Sequence, residues 1–273
     1  MKVPFQKSDA QQYPHEKGVC ELFEMQQEQT PGLRAVSYNG QSITYSELNR
    51  RSDLLAARLM KNERDGLFIG ISSTRNVEMI IGILAILKAG KAYLPLDPDH
   101  PPARIIQLLR ESGIQSLVCK DCEFGFYNAL QTGMELWATD VLYDNGQVKD
   151  KQHSELVYLL YTSGSTGIPK GVCMTNDSMA NLLQWQRKNS LAGAGTKTLQ
   201  FSPLGFDVSF QEIFSTLTTG GELVLVDDDR RLDPLLLLQF IEENSIERIF
   251  LPFVALQMLT DAANTHQLFP FPL

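Results

Sequence analysis

Short apolar runs of strand length alternate with longer amphipathic runs of helix length along most of this chain, and that alternation restricts its fold more than any other feature. A capping box at Thr44-Tyr45-Ser46-Glu47 predicts a helix whose Leu48, Leu55 and Leu59 recur at helical spacing. Phe68 to Ser72 reads as a strand. Asn76 to Ala89 reads as a helix with Val77, Ile80, Ile81, Leu84 and Leu87 inward and Gly90 as its stop. A strand at Ala92 to Leu96 runs into the stiff turn Asp97 to Pro102, which delivers a helix over Ala103 to Ser112 that stops at Gly113. Later strands are expected at Leu156 to Tyr161, Gly171 to Thr175, Thr198 to Ser202, Glu222 to Val226 and Arg248 to Leu251. Later helices are expected at Val208 to Leu217, ended by Gly220-Gly221, and at Val254 to Ala263. Another runs from an Asp233 cap with Pro234 at its first position to Asn244. Strand, helix, strand at this spacing implies the α/β class, with mostly parallel sheets flanked by helices.

Composition narrows the partners. The 273 residues carry a formal net charge of −8, which repels a phosphate backbone over the whole surface, so no nucleic-acid partner is expected. The N-terminus lacks the apolar core of a secretory signal. The longest apolar run, Met79 to Leu87, is far short of the roughly 20 residues a membrane span needs. A cytoplasmic protein without a membrane partner is the expectation. Cys119 and Cys122 form a C-x-x-C, but no second pair follows. This one ends an apolar strand and enters a polar turn, so no metal or redox site is assigned. The polar stretch Tyr143 to Glu155 is the best linker candidate, and the apolar tail Leu268 to Leu273 has the look of a cut end.

The densest chemistry lies at Tyr161-Thr162-Ser163-Gly164-Ser165-Thr166-Gly167-Ile168-Pro169-Lys170-Gly171. Glycines let a backbone approach an anion and turn its N–H groups inward, hydroxyls donate to phosphate oxygens, and Lys170 adds a point charge. The run departs from the G-x-x-x-x-G-K-[ST] pattern, because Pro169 stands at the second glycine and Gly171 at the hydroxyl. The residues after it read as a strand, so this loop joins two strands and has no helix terminus to help it.

This run resembles the phosphate-loop signature of the adenylate-forming superfamily, which includes acyl-CoA ligases, luciferases and the adenylation domains of nonribosomal peptide synthetases. Ile43 to Asn49, Leu87 to Pro98 and Phe206-Asp207-Val208-Ser209 resemble further core motifs of the peptide-synthetase branch, in the family's order. Asn176 departs from the family, which often has a histidine a few residues past the loop; little effect is expected, since the position lies outside the loop. The resemblance implies an incomplete N-terminal core of the adenylate-forming fold. A tail covers residues 1–18, and an AMP-binding adenylation domain covers 19–273, stopping before the adenine- and ribose-binding motifs and the C-terminal subdomain.

The activity implied is ATP-dependent activation of an amino-acid carboxylate as an aminoacyl-adenylate. A carrier protein's phosphopantetheine thiol then captures it, and Mg2+ bridges the phosphates. By the same resemblance Thr162, Ser163, Gly164, Ser165, Thr166, Gly167 and Lys170 hold ATP, with Thr166 and Lys170 catalytic. Asp207 holds the substrate ammonium as a buried carboxylate, Phe206 sits beside the reacting carboxyl, and Val208, Gln211 and Phe250 line the side-chain pocket. Ser209-Phe210-Gln211-Glu212 reads as a second capping box, which leaves Asp207 free of that duty. The Asp-Val-Gln-Phe set resembles pockets that take proline, with half of such a pocket missing. Alone, the segment is not expected to complete adenylation. The alternatives are a non-catalytic remnant with weak nucleotide binding and a truncated acyl-CoA ligase, the latter disfavoured by Asp207.

Overall fold

The computed structural model describes residues 17–62, 66–139, 154–162 and 169–265. The chain opens with helix α1 (Val19–Gln29), hairpin strands β1 (Arg34–Tyr38) and β2 (Gln41–Thr44), and helix α2 (Tyr45–Leu59). Strand β3 (Phe68–Ser72), helix α3 (Val77–Lys88), strand β4 (Ala92–Leu96), helix α4 (Pro102–Ser112) and strand β5 (Ser116–Cys119) follow. A 3₁₀ turn (Asp121–Glu123), helix α5 (Phe124–Ala129) and strand β6 (Glu135–Ala138) close the first half. The second half holds β7 (Leu156–Thr162), β8 (Lys170–Thr175), α6 (Asn176–Asn189), β9 (Lys197–Gln200) and α7 (Asp207–Leu217). It ends with β10 (Glu222–Leu225), α8 (Asp228–Leu232), α9 (Pro234–Glu243) and α10 (Phe253–Thr265).

Two sheets result. One has the order β6-β5-β3-β4-β7-β8 and is parallel except for the β7–β8 pair; the other runs β2-β1-β10-β9 and is parallel except for the β1–β2 hairpin. Helix α3 lies between them. It touches β3, β4 and β5 on one side and β1, α1 and α2 on the other. All its residues except Glu78 are buried. An apolar helix of this kind has no solvent face and must be enclosed. It starts on an Asn76 side chain that accepts from Met79 N (2.7 Å) and stops before Gly90 at φ +73°. Its last residue is charged. Lys88 is 3% exposed, and its ammonium donates to Asn49 Oδ1 (2.6 Å) and Asp53 Oδ1 (2.7 Å) on α2. It also lies 5.5 Å from the Phe23 ring centroid on α1. One buried cation thus ties three helices.

Several expectations are corrected here. The Thr44 box forms only half: Thr44 Oγ1 accepts from Glu47 N (3.3 Å), but the Glu47 carboxylate is drawn to Arg50 by two 2.7 Å bonds. Arg248 to Leu251 is not a strand; Arg248 makes one isolated parallel bridge to Thr198. The β1–β2 hairpin, α1 and α6 join the elements foreseen from the sequence. Cys119 ends β5 buried, while Cys122 is exposed in the turn, as two unlinked thiols. Most of the linker candidate and the whole apolar tail lie outside the described residues. No helix among the described residues is long and apolar enough to cross a membrane.

Tyr45 shows how the N-terminal units lock onto the rest. It is fully buried at the start of α2, its ring lies 6.0 Å from that of Phe23, and its hydroxyl donates to Gly221 O (2.7 Å) in the turn between α7 and β10. Tyr45→Phe removes the donor and strands a buried carbonyl. We expect a loss of about 1–3 kcal/mol in unfolding free energy, read as a lower midpoint in urea at unchanged slope. A midpoint within error of the parent's would mean that water replaces the hydroxyl.

Candidate functional site

Strand β7 ends at Thr162 and β8 begins at Lys170, and these two residues are register partners of the antiparallel pair. The phosphate-loop candidate therefore does join two strands, as its composition suggested. Ser163, Gly164, Ser165, Thr166 and Gly167 lie outside the described residues. At the loop's two feet the Thr162 hydroxyl donates to Lys170 O (3.4 Å). The Lys170 side chain is exposed and its ammonium has no partner among the described residues. Gly171 packs closely: a Cβ there would stand 2.8 Å from Leu159 Cδ1, which would have to shift.

A cavity of about 300 Å³ opens between this strand pair and the N-terminal end of α7. Thr162, Phe206, Asp207 and Gln211 all line it, so four of the residues singled out in the sequence meet. Its apolar wall comes from Leu160, Val172 and Met174 on the strands and Met179 and Leu182 on α6. Tyr158 and Phe210, with ring centroids 6.0 Å apart, close it from behind. Val208 and Phe250 are half-buried and do not line it; Phe250 instead lies under the Arg248 guanidinium, 5.5 Å from its ring centroid.

Asp207 is the first residue of α7, where the helix's positive end favours a carboxylate. It is exposed at the cavity mouth rather than buried, because the turn before it is open on that side. No hydrogen bond or ion pair among the described residues holds its carboxylate. Its charge is felt across the cavity: burial, and then Asp207, push the Tyr158 hydroxyl up to about 12. Phe206 caps α7 with backbone geometry alone and is 63% exposed. It also lines a second, more polar cavity of about 430 Å³ at the carboxyl ends of β3 and β4.

The second capping box is absent. The helix begins two residues before Ser209, whose hydroxyl donates back to Phe206 O (2.6 Å). Glu212 turns toward the end of β9 and accepts from Phe201 N (3.2 Å), Ser202 N (3.1 Å) and Gln200 Nε2 (3.1 Å). Burial pushes its carboxyl up to about 7, against the pull of those donors in the other direction. Asp207 is free of capping bonds, as expected, though for a different reason. The α6 residues of the wall were legible in principle: Thr175 accepts from Ser178 N (3.3 Å), and Met179, Leu182 and Leu183 follow at helical spacing. Asn176, the departure noted above, has a structural job, since its Oδ1 accepts from Val19 N (2.8 Å) and its Nδ2 donates to Ser154 O (2.9 Å).

Among the described residues no group of three or more His, Cys, Asp or Glu is placed to hold a metal ion. The described feet of the loop fit a polyphosphate in kind, offering a hydroxyl and an uncommitted ammonium.

Comparison with known proteins identifies the family of the chain. Residues 23–270 match the family described as AMP-binding enzyme. Bacitracin synthase 3 of Bacillus licheniformis is 40% identical over 225 residues, 80% of this chain and 4% of that protein. Surfactin synthase subunit 2 of Bacillus subtilis (strain 168) is 33% identical over 272 residues, 95% of this chain and 8% of that protein. The nonribosomal peptide synthetase FmoA3 superposes with a TM-score of 0.84 at 25% identity in its AMPPNP-bound form, over 94% of this chain and 28% of that one. Its α-methyl-L-serine-AMP-bound form gives the same score over 93% and 29%. The chain therefore spans a small part of the synthetases it resembles, and it belongs to the AMP-binding enzyme family as a segment of a nonribosomal peptide synthetase adenylation domain.

Proposed function

We propose that this segment supplies part of the site that binds ATP and an α-amino acid and joins them as an aminoacyl-adenylate within a peptide synthetase, and that it does not complete the reaction alone. The observation that carries this reading is the single cavity at which Thr162, at the foot of the loop, faces Asp207 and Gln211 on α7. A carboxylate oxygen of the amino acid attacks the α-phosphorus of ATP. The bond from that phosphorus to the bridging oxygen breaks, and pyrophosphate leaves with the electron pair. The thiol of a carrier protein's phosphopantetheine arm then displaces AMP.

In this scheme Thr162, Ser163, Gly164, Ser165, Thr166, Gly167 and Lys170 clamp the phosphates, and Thr166 and Lys170 neutralise charge that builds on the leaving group. Mg2+, when bound with ATP, would supply further neutralisation of the phosphate charge. Asp207 takes the substrate ammonium, which separates amino acids from plain acids and disfavours an acyl-CoA ligase. Phe206 borders the reacting carboxyl. Gln211 meets the substrate side chain, while Val208 and Phe250 act from outside the cavity wall.

Two expected outcomes test the reading in an adenylation domain that carries this segment, with L-proline as the first of the twenty amino acids tried. Lys170→Ala and Thr166→Ala should each slow amino-acid-dependent ATP–pyrophosphate exchange by about 2–4 kcal/mol in the transition state. Exchange at the parental rate in both would remove the loop from the chemistry. Asp207→Ala should raise the amino-acid Michaelis constant about 30-fold, the low end of a charge-pair truncation because the carboxylate is exposed. Its melting temperature should stay near the parent's, since no hydrogen bond is lost. A lower melting temperature with normal amino-acid binding would make Asp207 structural.

A further inference from the structure

Three side chains hold the turn that carries Phe206 and Asp207 from behind, and none of them touches the cavity of Asp207. Gln200 ends β9. Its amide nitrogen donates to Glu212 Oε2 (3.1 Å) on α7, and its amide oxygen accepts from Arg75 Nε (3.0 Å). Arg75 comes from the connection after β3, in the other sheet. It also donates to Phe201 O (3.0 Å) and to Asp228 Oδ1 (2.6 Å) on α8. Glu212 holds the N–H groups of Phe201 and Ser202. Phe201 is thus gripped at its N–H by a carboxyl group and at its carbonyl by a guanidinium, and the two groups are joined through one amide.

We propose that Arg75, Gln200 and Glu212 form a buried clamp that sets the position of Phe206 and Asp207, making Arg75 and Glu212 positioning residues for the amino-acid substrate. The inference rests on the reading of Asp207 as the ammonium site. Its geometry is that of a turn fixed at both ends by one helix. Glu212 takes the incoming end at residues 201 and 202. Ser209, one helical turn before it on the same face, takes the outgoing end through Leu204 O (3.3 Å) and Phe206 O (2.6 Å). Phe206 N donates to Pro203 O (3.0 Å) inside the turn. Among the described residues the Asp207 carboxylate has no hydrogen bond, so its place comes from the backbone that the clamp holds.

Burial makes the bonds of the clamp costly to break. Glu212 is fully buried and the Arg75 side chain is 8% exposed. A buried group with several bonds, whether the Arg75 ion or the Glu212 carboxyl, tolerates little displacement, because each bond lost leaves a desolvated polar partner. Burial lowers the affinity of Arg75 for its proton, and Asp228 beside it opposes that change. The charged groups nearest the clamp are Asp228 and Arg231 on α8 and Arg248, which donates to Thr216 Oγ1 (2.9 Å) one turn beyond Glu212.

The clamp has a signature that a general stabilising role would lack. The Glu212 carboxyl holds its proton up to about pH 7 when the turn is docked, and to the ordinary carboxylate range when it is released. Release therefore grows easier as pH rises between those values, by up to about tenfold per pH unit, and levels off above the upper one. Amide hydrogen exchange of the 273-residue chain reads this directly, once intrinsic exchange rates are divided out. We expect residues 201–207 of the parent to follow that slope, Glu212→Gln to abolish it, and Asp207→Ala to leave it in place. Arg75→Lys, which keeps the charge but loses the fork, should raise exchange in 201–207 on the order of tenfold with α3 unchanged. In the adenylation assay both clamp variants should raise the Michaelis constant for the amino acid and leave that for ATP. A slope retained in Glu212→Gln, exchange raised equally in α3, or an unchanged amino-acid constant would each overturn the clamp. Failure of Asp207→Ala alone would overturn the ammonium site instead.

Discussion

The enclosure of α3 is the constraint from which the rest of the structure follows. A helix with apolar residues on every side cannot sit on one sheet with its back in water, and here two sheets and two helices surround it. It lies close to the larger sheet, for a Cβ on Gly82 would come within 2.6 Å of Ile71 Cδ1 and 2.9 Å of Val118 Cγ1. That contact sets the spacing of the sheets. The spacing in turn leaves a crevice where the strand ends meet, which is where open α/β sheets bind ligands. Lys88 closes the assembly at the far end, where its charge is met by α2 rather than by solvent.

The site is assembled from parts that are remote in sequence but adjacent in this frame. β7 lies beside β4 in the interior of the large sheet, and β8 adds antiparallel on its outer edge. The connection between them is thereby held at both feet by a ladder of backbone bonds. α7 leaves β9 of the smaller sheet and aims its first turn at that ladder. The two sheets meet chemically through Arg75, which follows β3 of one and donates to Gln200 and Phe201 at the end of β9 of the other.

Elements carried by local signals were legible in the sequence. α3, β4 and α4 appear where apolar periodicity and stop residues put them, and Gly113 has the left-handed φ of +66° that a helix end asks for. Asp233 caps α9 through Leu235 N and Leu236 N, as its place before Pro234 suggested. What failed was the use of side chains whose partners lie far along the chain. Ser209 and Glu212 have a capping box's spacing, yet distant backbone donors in residues 201 and 202 outcompete the local ones. Arg248 to Leu251 has strand composition, but its backbone makes a single bridge to Thr198, while the Arg248 side chain reaches Thr198 and Thr216. The grouping of Thr162, Asp207 and Gln211 in one cavity depends on sheet order, which no local pattern encodes.

The exposed Asp207 at the head of α7 gives the cavity a polarity of its own. The helix end alone would draw an anion, but the carboxylate reverses its sign, while the exposed Lys170, register partner of Thr162, follows on the strand pair across from it. A small molecule with separated charges feels a torque in such a field before it touches either wall, over a range of about 8 Å in physiological salt. If Asp207 and Lys170 act as proposed, a zwitterion would be turned with its cationic end toward α7 and its anionic end toward the strand pair, while a molecule of single charge would be pulled to one wall and repelled by the other. On the proposed reading, orientation would be chosen by the electric field at the entrance, ahead of any contact with the apolar wall.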